Sequence, residues 1–231
     1  GDSIPLPQGD RTVIEKYLGK GVVGDPVAAS PIDDASHLCP LAAGTRTFTL
    51  TSGDQEGQAE THTIAELKRD TPGTSWSESW GSGDALFLNR DDAGNIHLVT
   101  HNEQHEGVIT QYAPAEPILL MGMRPGETRT SKSDIKAFDL AHPDHLSHTG
   151  SLNLKLTYVG AYKVTVPTGS YDAVLLRWTY TGKIGPATVN DVQYRFLAPG
   201  VGVVAEVEKK KVSAMLVYND QLNVGKVLSG H

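Results

Sequence analysis

The sequence lacks several residues and patterns on which particular classes of protein depend. Cys39 is the only cysteine in 231 residues, so the chain can neither close an internal disulfide nor form a Cys-x-x-Cys redox or zinc site. An isolated thiol is most often a small buried hydrophobe rather than a nucleophile. The longest apolar run, Ile118 to Met123, ends at Arg124-Pro125, well short of the ~20 residues of a membrane span. We therefore expect no disulfide framework and no membrane-spanning helix.

Positive charge is also scarce. The chain has 20 Lys and Arg residues against 27 Asp and Glu residues, a formal net charge of −7. This balance argues against duplex nucleic acid or an anionic membrane surface as a partner. Lys209-Lys210-Lys211 is the only basic run, and we interpret it as the solvated end of a strand. The chain begins Gly-Asp-Ser-Ile-Pro without a methionine, which favours a processed protein that is periplasmic or secreted.

The common catalytic motifs are missing as well. We find no Gly-x-Ser-x-Gly nucleophile elbow, no His-Glu-x-x-His zinc motif and no phosphate-binding loop. The stretch His101-Asn-Glu-Gln-His105 places its glutamate one position too late for the zinc motif. The sequence thus favours a protein that is not an enzyme and that needs no cofactor.

What the chain does contain is one helix pattern followed by a long series of strand patterns. Thr12 to Leu18 has the spacing of a capping box, with Glu15 three residues after Thr12, and it ends at Gly19. A connector rich in proline and glycine follows through Pro40. We expect residues 1–40 to pack against a β-domain of residues 41–231, the two forming a single domain.

After Pro40 apolar residues recur at every second position, which is typical of strands. Leu86 to Leu88 and Ile96 to Val99 flank a glycine-containing turn and predict a hairpin. Val192 to Leu197 is predicted to pair with Val201 to Lys209 across Ala-Pro-Gly, and Val212 to Tyr218 is predicted to be the last strand. Gly200 would provide the positive φ of a tight turn, and Gly202 a bulge or a close backbone approach.

The predicted fold is mainly β, a strongly curved antiparallel sheet or open β-barrel with one N-terminal helix, because a long flat sheet would leave adhesive edges. In the strand after Gly200, the apolar side chains are predicted to face the core, and Glu206 and Glu208 to face away. The residues predicted for the inner face of the sheet are Phe48, Leu154, Leu156, Tyr162, Val164, Val203 and Val207.

Three stretches resemble a pattern of uncharacterised exported bacterial β-proteins. They are Pro40-Leu-x-x-Gly44-x-x-x-Phe48, Val166-Pro-Thr-Gly-Ser-Tyr-Asp-Ala-Val174 and Tyr194-Arg-Phe-Leu-Ala-Pro-Gly-Val-Gly-Val-Val-Ala-Glu206. The pattern in those proteins is Val-Pro-x-Gly-x-Tyr/Phe followed by Ala-Pro-Gly-Val-Gly, and their architecture is distantly similar to that of LolA/LolB-like periplasmic lipoprotein carriers. The resemblance implies a curved sheet around an apolar cavity and an exported protein. Thr168 and Tyr171 depart from the commoner residues, and the resemblance transfers no functional residue.

Two groups of residues are candidates for a site. Trp76, Trp80, Tyr112, Met121 and Met123 are the candidate residues of a pocket, although aromatic residues more often serve core packing. His142, His145 and His148 lie within seven residues and, beside Asp139 or Asp144, are candidate zinc or copper ligands. A polar loop is the competing interpretation of the three histidines.

A second series of histidines is spaced by four residues. His97, His101 and His105 would lie on one face of a strand, but at ~3.3 Å per residue the outer two are too far apart to share a metal ion. We interpret them as solvent-side residues of a strand that runs into a loop.

Three functions remain open. The favoured one is binding of a small apolar or lipid-like, amphiphilic ligand on the concave face, without catalysis. The alternatives are a metal-dependent hydrolase that uses His142, His145 and His148, and an envelope module that binds another protein through an apolar patch or a free strand edge.

Overall fold

The structure, a computed structural model, describes residues 1–214 and 218–231, and this part of the chain forms two helices and thirteen strands. Their order is α1 Gln8–Leu18, β1 Val23–Val27, α2 Ala35–Leu38, β2 Gly44–Leu50, β3 Ala59–Leu67, β4 Thr74–Trp80, β5 Asp84–Arg90, β6 Ile96–Glu103, β7 Val108–Leu119, β8 Thr128–Asp139, β9 Leu146–Val166, β10 Gly169–Ile184, β11 Ala187–Ala198, β12 Gly202–Ala214 and β13 Tyr218–Gly230. The predicted last strand, Val212 to Tyr218, is not a separate strand, because residues 212–214 continue β12 and a further strand, β13, begins at Tyr218. Residues 215–217 lie outside the described residues.

Strands β2 to β13 form a closed antiparallel barrel. Each strand pairs with the strands that precede and follow it in the sequence, including β8 with β9. The ring closes where β13 pairs with β2. The thirteenth strand, β1, is added to the far end of β9, opposite Ala161 to Val164. The prediction of a mainly β fold with strong curvature is therefore confirmed, and the curvature goes as far as complete closure, which leaves no free edge within the ring.

Helix α1 packs against the outside of the barrel. Ile14 and Leu18 form one apolar cluster with Tyr162, Val164 and Val207. The prediction that Tyr162, Val164 and Val207 lie on the inner face is thus wrong, because the helix buries a second, outer face of these strands. Phe48, Leu154, Leu156 and Val203 are also at least partly buried, and Phe48 and Val203 contact the interior cavity described below.

The helix begins one turn earlier than its sequence pattern predicts. Thr12 lies inside α1, where its Oγ1 donates a hydrogen bond to the carbonyl oxygen of Gln8 at 3.0 Å, so it is not the N-cap of a capping box. The predicted end is right, since Gly19 follows the last helical residue with a φ of 95°. Among the described residues, neither helix has the length and apolar character needed to cross a membrane.

The hairpin of β11 and β12 has the predicted turn. Gly200 has a φ of 75° and Gly202 a φ of 95°. A Cβ on Gly202 would lie 2.5 Å from a guanidinium nitrogen of Arg46, so the close approach at this position is that of a side chain and not of a backbone segment. The ladder register shifts between Phe196 and Leu197, opposite Val203 and Ala205.

This hairpin turns its polar residues inward. Glu206 and Glu208 line the interior cavity, whereas Ala205 and Val207 lie in the cluster beneath α1. Ala205 and Val207 thus face an apolar core, as predicted, but this core lies outside the barrel, and Glu206 and Glu208 face away from it into the cavity. The helix provides an apolar environment outside the barrel, so the apolar positions of the strand point there.

One end of the barrel is closed by residues 29–41, which we call the floor segment. Its buried residues Ala29, Ile32, Ala35 and Leu38 join the interior cluster that contains Trp178. Ile32 exchanges backbone hydrogen bonds with the β7–β8 connection, donating to Met123 at 2.9 Å and accepting from Gly122 at 2.7 Å. The floor segment is therefore fixed to the strand ends and fills the lower part of the barrel.

A buried ionic contact attaches α1 to the barrel. Asp10, which is 5% exposed, accepts hydrogen bonds from Arg177 at 2.7 and 2.8 Å and from the hydroxyl of Tyr194 at 2.7 Å. Replacement of Asp10 would leave Arg177 and Tyr194 without their acceptor in a site that is largely shielded from water.

We expect Asp10→Ala to lower the free energy of unfolding by about 2–3 kcal/mol, because a charge-assisted pair is lost and a buried donor is left unsatisfied. Glu15→Gln is the matched control, since the Arg11–Glu15 pair is 30% exposed on both sides and should contribute below about 0.5 kcal/mol. Urea denaturation of the three proteins measures both values. Equal losses in the two variants would contradict this role of Asp10.

Candidate functional site

A cavity of about 750 Å³ occupies the barrel above the floor segment. Its lower lining includes Cys39 of the floor segment and Leu98 and Ile118 of the strands. At the opposite end, which we call the mouth, the lining residues belong to hairpin turns or to the strand ends beside them, among them Gln55, His105, His148 and Pro186. The cavity is thus closed below and surrounded by hairpin turns above.

The cavity has two unlike walls. The apolar wall comprises β5 to β10 and contributes Leu86, Leu88, Leu98, Val108, Ile118, Ala137, Leu152 and Ile184, with Tyr112 and Tyr180. The charged wall comprises β11 to β13 with β3 and β4, and contributes Glu60, His62, Glu78, Asp191, Gln193, Arg195, Glu206, Glu208, Lys210 and Lys226. The division is not complete, since Asp84, His101 and Glu103 lie on the strands of the apolar wall, and Val189, Leu197, Val203, Val212, Leu222 and Val224 lie on those of the charged wall. A molecule that fills this space would meet mainly hydrocarbon on one side and most of the ionisable groups on the other.

Carboxylates outnumber cations in this lining. Among the described residues, eight Asp and Glu side chains but only three Lys and Arg side chains contact the cavity. The three cations are Arg195, Lys210 and Lys226. The cavity lining therefore contains more acidic than basic groups, as the whole chain does.

One part of the charged wall is a connected network. Lys226 Nζ donates to Glu60 Oε1 at 2.6 Å, the same oxygen lies 2.6 Å from His62 Nε2, and His62 Nδ1 lies 3.3 Å from Glu78 Oε1. The His62 ring stacks on Trp80 with their centroids 4.4 Å apart. Burial opposes ionisation of Glu60, but the hydrogen bonds from His62 and Lys226 lower its pKa to about 2. Against the effect of burial, the bonds to Glu60 and Glu78 raise the pKa of His62.

Two ionic contacts cross the mouth region of the barrel. Lys210 on β12 donates to Glu103 on β6, six strands away around the ring and thus on the opposite side. Close to them, His105 Nε2 lies 2.8 Å from Asp220 Oδ2 of β13. The barrel is therefore flattened enough for side chains from facing walls to meet. Burial acts against the charge on Lys210, yet Glu103 and Glu208 raise its pKa.

This contact corrects the interpretation of the basic run. Lys209 and Lys211 are exposed, but Lys210 is 7% exposed and points into the barrel. Only the two outer lysines are solvated, because successive residues of a strand point to opposite faces.

Between the network and the crossing contacts lies a pair of acidic residues. The side-chain amide of Gln193 donates to Asp191 Oδ2 at 2.9 Å and to Glu208 Oε2 at 2.7 Å, and so joins the two carboxyl groups. The other oxygen of Asp191, Oδ1, is buried and has no hydrogen-bond partner among the described residues. Burial and the neighbouring charge of Glu208 raise the pKa of Asp191 well above its usual range.

A third buried acid lies on the other side of two tyrosines. Glu116 is 1% exposed, and burial raises its pKa to about 8, although an interaction with the Tyr180 hydroxyl acts in the opposite direction. Neither carboxyl oxygen has a partner at full hydrogen-bond distance among the described residues. Tyr112 and Tyr180 line the cavity close to Glu116 and Asp191, and burial together with Glu116 keeps both phenols neutral by raising the pKa of each.

The five predicted pocket residues fall into two places. Trp80 and Tyr112 line the cavity. Trp76 and Met123 are buried in the interior apolar cluster, and Met121 packs against that cluster with its sulfur 3.3 Å from the backbone N–H of Ala35. Met121 and Met123 therefore contact the floor segment rather than the cavity.

The predicted histidine cluster is spread over a turn and a strand. His142 and His145 lie in the exposed β8–β9 turn, where His145 Nδ1 is 3.5 Å from Asp139 Oδ2, and His148 lies in β9 at the mouth. Among the described residues, the three do not form a group whose potential ligand atoms lie within 4.8 Å of one another, whereas His105, Glu106 and Asp220 do. The residue types that bind divalent cations are thus close together at His105, Glu106 and Asp220 and not at the three predicted histidines.

The four-spaced histidines are not all on the solvent side. The register shift between Leu98 and Thr100 separates His97 from His101 in the strand alternation. His101 contacts the cavity and His105 its mouth, and His97 lies 3.9 Å from Asp91. Cys39 also contacts the cavity, but burial raises the pKa of its thiol to about 11, so it is not a nucleophile at neutral pH.

The polar residues of β11 and β12 were missed by the sequence reasoning. Their register pairs Asp191 with Lys210 and Arg195 with Glu206, so opposite charges face each other across the ladder. Such complementary pairs at alternate positions of a predicted hairpin are a signal that both strands turn the same polar face to one environment.

The environment of Lys210 predicts unequal effects of two substitutions. Lys210→Met leaves the buried Glu103 without its cation and removes the nearest positive charge from Glu208 and Asp191, so it should lower the free energy of unfolding by about 3–5 kcal/mol at pH 7.5. Glu103→Gln leaves Lys210 close to the other two acids, and we expect a loss of about 1–2 kcal/mol. The exposed neighbour Lys209→Met is the control and should stay within about 0.5 kcal/mol. Urea denaturation tests this order, and a loss for Glu103→Gln as large as that for Lys210→Met would refute it.

The pKa of Glu116 predicts a pH-dependent effect. In the unfolded chain this group loses its proton near its ordinary pKa of 4.5, whereas in the folded protein it retains it to about 8. Its contribution to stability is therefore present below about pH 4.5 and is lost as the pH rises towards 8, by at most about 1.4 kcal/mol per pH unit.

Glu116→Gln is neutral at every pH. We expect its free energy of unfolding, relative to the unmodified protein, to increase by a few kcal/mol between pH 5 and pH 8.5. The exposed Glu56→Gln is the control and should show no such increase. Denaturation curves at the two pH values measure the effect, and a pH-independent difference for Glu116→Gln would disprove the assignment.

Comparison with known proteins finds similar solved structures but no match in sequence. No protein-family model and no curated protein matches the chain. One similar structure is a predicted exported protein with a YmcC-like fold from Bacteroides fragilis, with a TM-score of 0.49, 11% identity and coverage of 88% of this chain and 99% of that chain. Another is a predicted lipoprotein from Parabacteroides distasonis, with a TM-score of 0.39 and the same identity and coverage. Identity this low specifies no shared function.

Proposed function

We propose that this protein binds a small amphiphilic molecule inside its barrel and does so without catalysis. The observation that carries the proposal is the cavity of about 750 Å³ between an apolar and a charged wall. Small-molecule sites have volumes of roughly 300–1,000 Å³ and combine a mainly apolar lining with a few polar groups that orient the ligand. An extracytoplasmic location, which the sequence resemblance implies, is part of this proposal.

The shape of the cavity supports a binding role. The floor segment closes the lower end, so a ligand would enter through the mouth with its apolar part against β5 to β10. Its polar part would then contact the charged wall. This placement removes hydrocarbon from water at roughly 25 cal/mol per Å² and leaves polar groups beside hydrogen-bonding partners.

The two alternative functions have less support. A metal-dependent hydrolase would need His142, His145 and His148 to converge on one ion, and in the described chain two of these lie in the exposed turn. A protein-interaction module would need an apolar patch or a free strand edge. The large exposed apolar residues among those described are Val99 and Leu146, on strands that are not neighbours, and in the described chain the free edge is that of the five-residue strand β1.

Binding can be tested with N-phenyl-1-naphthylamine, an uncharged apolar dye that fluoresces strongly when it leaves water. We expect saturable binding of one dye molecule per chain. Leu86→Trp places an indole in the cavity and should weaken binding about 10-fold or more, because the added bulk occupies the ligand's volume.

Val99→Trp is the matched control, since it adds the same side chain at a position that is 39% exposed and does not contact the cavity. It should leave the dissociation constant unchanged. Equal affinity of the unmodified protein and Leu86→Trp would place the dye outside the barrel and overturn the proposal, as would the absence of saturable binding.

A further inference from the structure

The cations of the charged wall are each engaged by a different carboxylate. Lys226 donates to Glu60 at 2.6 Å, and Lys210 pairs with Glu103 across the barrel. Arg195 lies 3.7 Å from Glu206, donates to the side-chain oxygen of Gln193 at 3.0 Å and stacks on the Trp178 ring. Every lysine and arginine of the described lining is thus accounted for.

Asp191 and Glu208 are left with a neutral bridge. The two acids share the amide of Gln193, which provides hydrogen bonds but no charge. Lys210 lies near both acids, and Lys226 and Arg195 lie near Glu208, but each of these cations is paired with another carboxylate. Two carboxyl groups held together in this way need a further positive charge for both to ionise.

The geometry also leaves an acceptor without a donor in a residue of the cavity lining. Asp191 lines the cavity, is 7% exposed, and its Oδ1 has no partner among the described residues. A buried carboxyl oxygen without a donor is rare in a folded protein, and it marks the position at which a donor from outside the chain can bind.

Two aromatic residues lie beside this acceptor. Tyr180 is the cross-strand neighbour of Asp191 on β10, and Tyr112 lies close to Asp191, Glu208 and Glu116. The face of an aromatic ring attracts cations, and both phenols are uncharged at neutral pH. A small metal ion prefers a shell of oxygen ligands. Aromatic rings beside carboxylates therefore suit an organic ammonium group better than a small metal ion.

We propose that the polar end of the ligand is a cation, an amine or quaternary ammonium group on an apolar chain, and that it binds between Asp191, Glu208, Tyr112 and Tyr180. The proposal rests on the amphiphile-binding function proposed above. Tyr180 belongs to the apolar wall and Asp191 to the charged wall, so the head-group site lies where the two walls meet.

Three ligands with the same hydrocarbon chain test the charge of the head group. Dodecylamine, 1-dodecanol and dodecanoate are titrated at pH 7 against the protein loaded with N-phenyl-1-naphthylamine, each below its micelle concentration. We expect dodecylamine, which is protonated at this pH, to bind about 10- to 100-fold more tightly than 1-dodecanol, the range that a charge-assisted hydrogen bond supplies. Dodecanoate should bind most weakly.

Substitutions then locate the site. Asp191→Asn removes the charge but keeps an oxygen that can accept from Gln193, and Glu208→Gln does the same at a less buried position. Each should weaken dodecylamine binding by about 10-fold or more and change 1-dodecanol binding by less than about 2-fold. Asp144→Asn, in the exposed β8–β9 turn, changes the net charge equally and is expected to leave all affinities unaltered.

The outcomes separate the two proposals. If 1-dodecanol or dodecanoate binds as tightly as dodecylamine, the cationic head group is ruled out while amphiphile binding stands. If the preference for dodecylamine survives in both Asp191→Asn and Glu208→Gln, the site is elsewhere. If neither the dye nor any of the three ligands binds, the proposed function itself fails. Glu208→Gln keeps the test decisive should Asp191→Asn not fold.

Discussion

A closed barrel of twelve strands is so wide that the side chains of its inner face do not fill the interior, as they do in a barrel with fewer strands. Most of this structure follows from that constraint. The lower part is occupied by the floor segment and by large side chains such as Trp178. Nearer the mouth, the barrel is flattened, so that Lys210 contacts Glu103 on the opposite wall. What remains is a cavity that neither device fills, and its lining is the part of the chain available for a ligand.

The strands and their turns could be predicted because their signals are local. Alternation marks the strands, and Gly200 and Gly202 mark the β11–β12 hairpin through conformations and contacts that a side chain would obstruct. The direction of each face could not be predicted in the same way. A strand pattern gives two faces, and only the distant helix α1 determines that Val207 is buried outside the barrel while Glu208 lines its interior.

The candidate site was hidden for a related reason. Its residues are common, widely separated acids, amides and lysines, and they form no motif. Trp80 and Tyr112 could be chosen as pocket residues from their type alone, but Met121 and Met123, chosen in the same way, contact the floor segment. Once the hairpin register is known, the facing pairs Asp191–Lys210 and Arg195–Glu206 become visible in the sequence. Contacts across the barrel, such as Glu103 to Lys210, have no local signal.

The charged wall is difficult to explain by stability alone. Buried ion pairs seldom stabilise a fold more than apolar side chains of the same size, and the apolar wall shows that this barrel accommodates such side chains. An unpartnered oxygen on Asp191 and a buried Glu116 add a desolvation cost that the contacts of the described chain offset only in part. A cationic ligand beside Asp191 and Glu208 would offset that cost on binding. The same groups that weaken the empty barrel would then supply the affinity and the charge preference of the filled one.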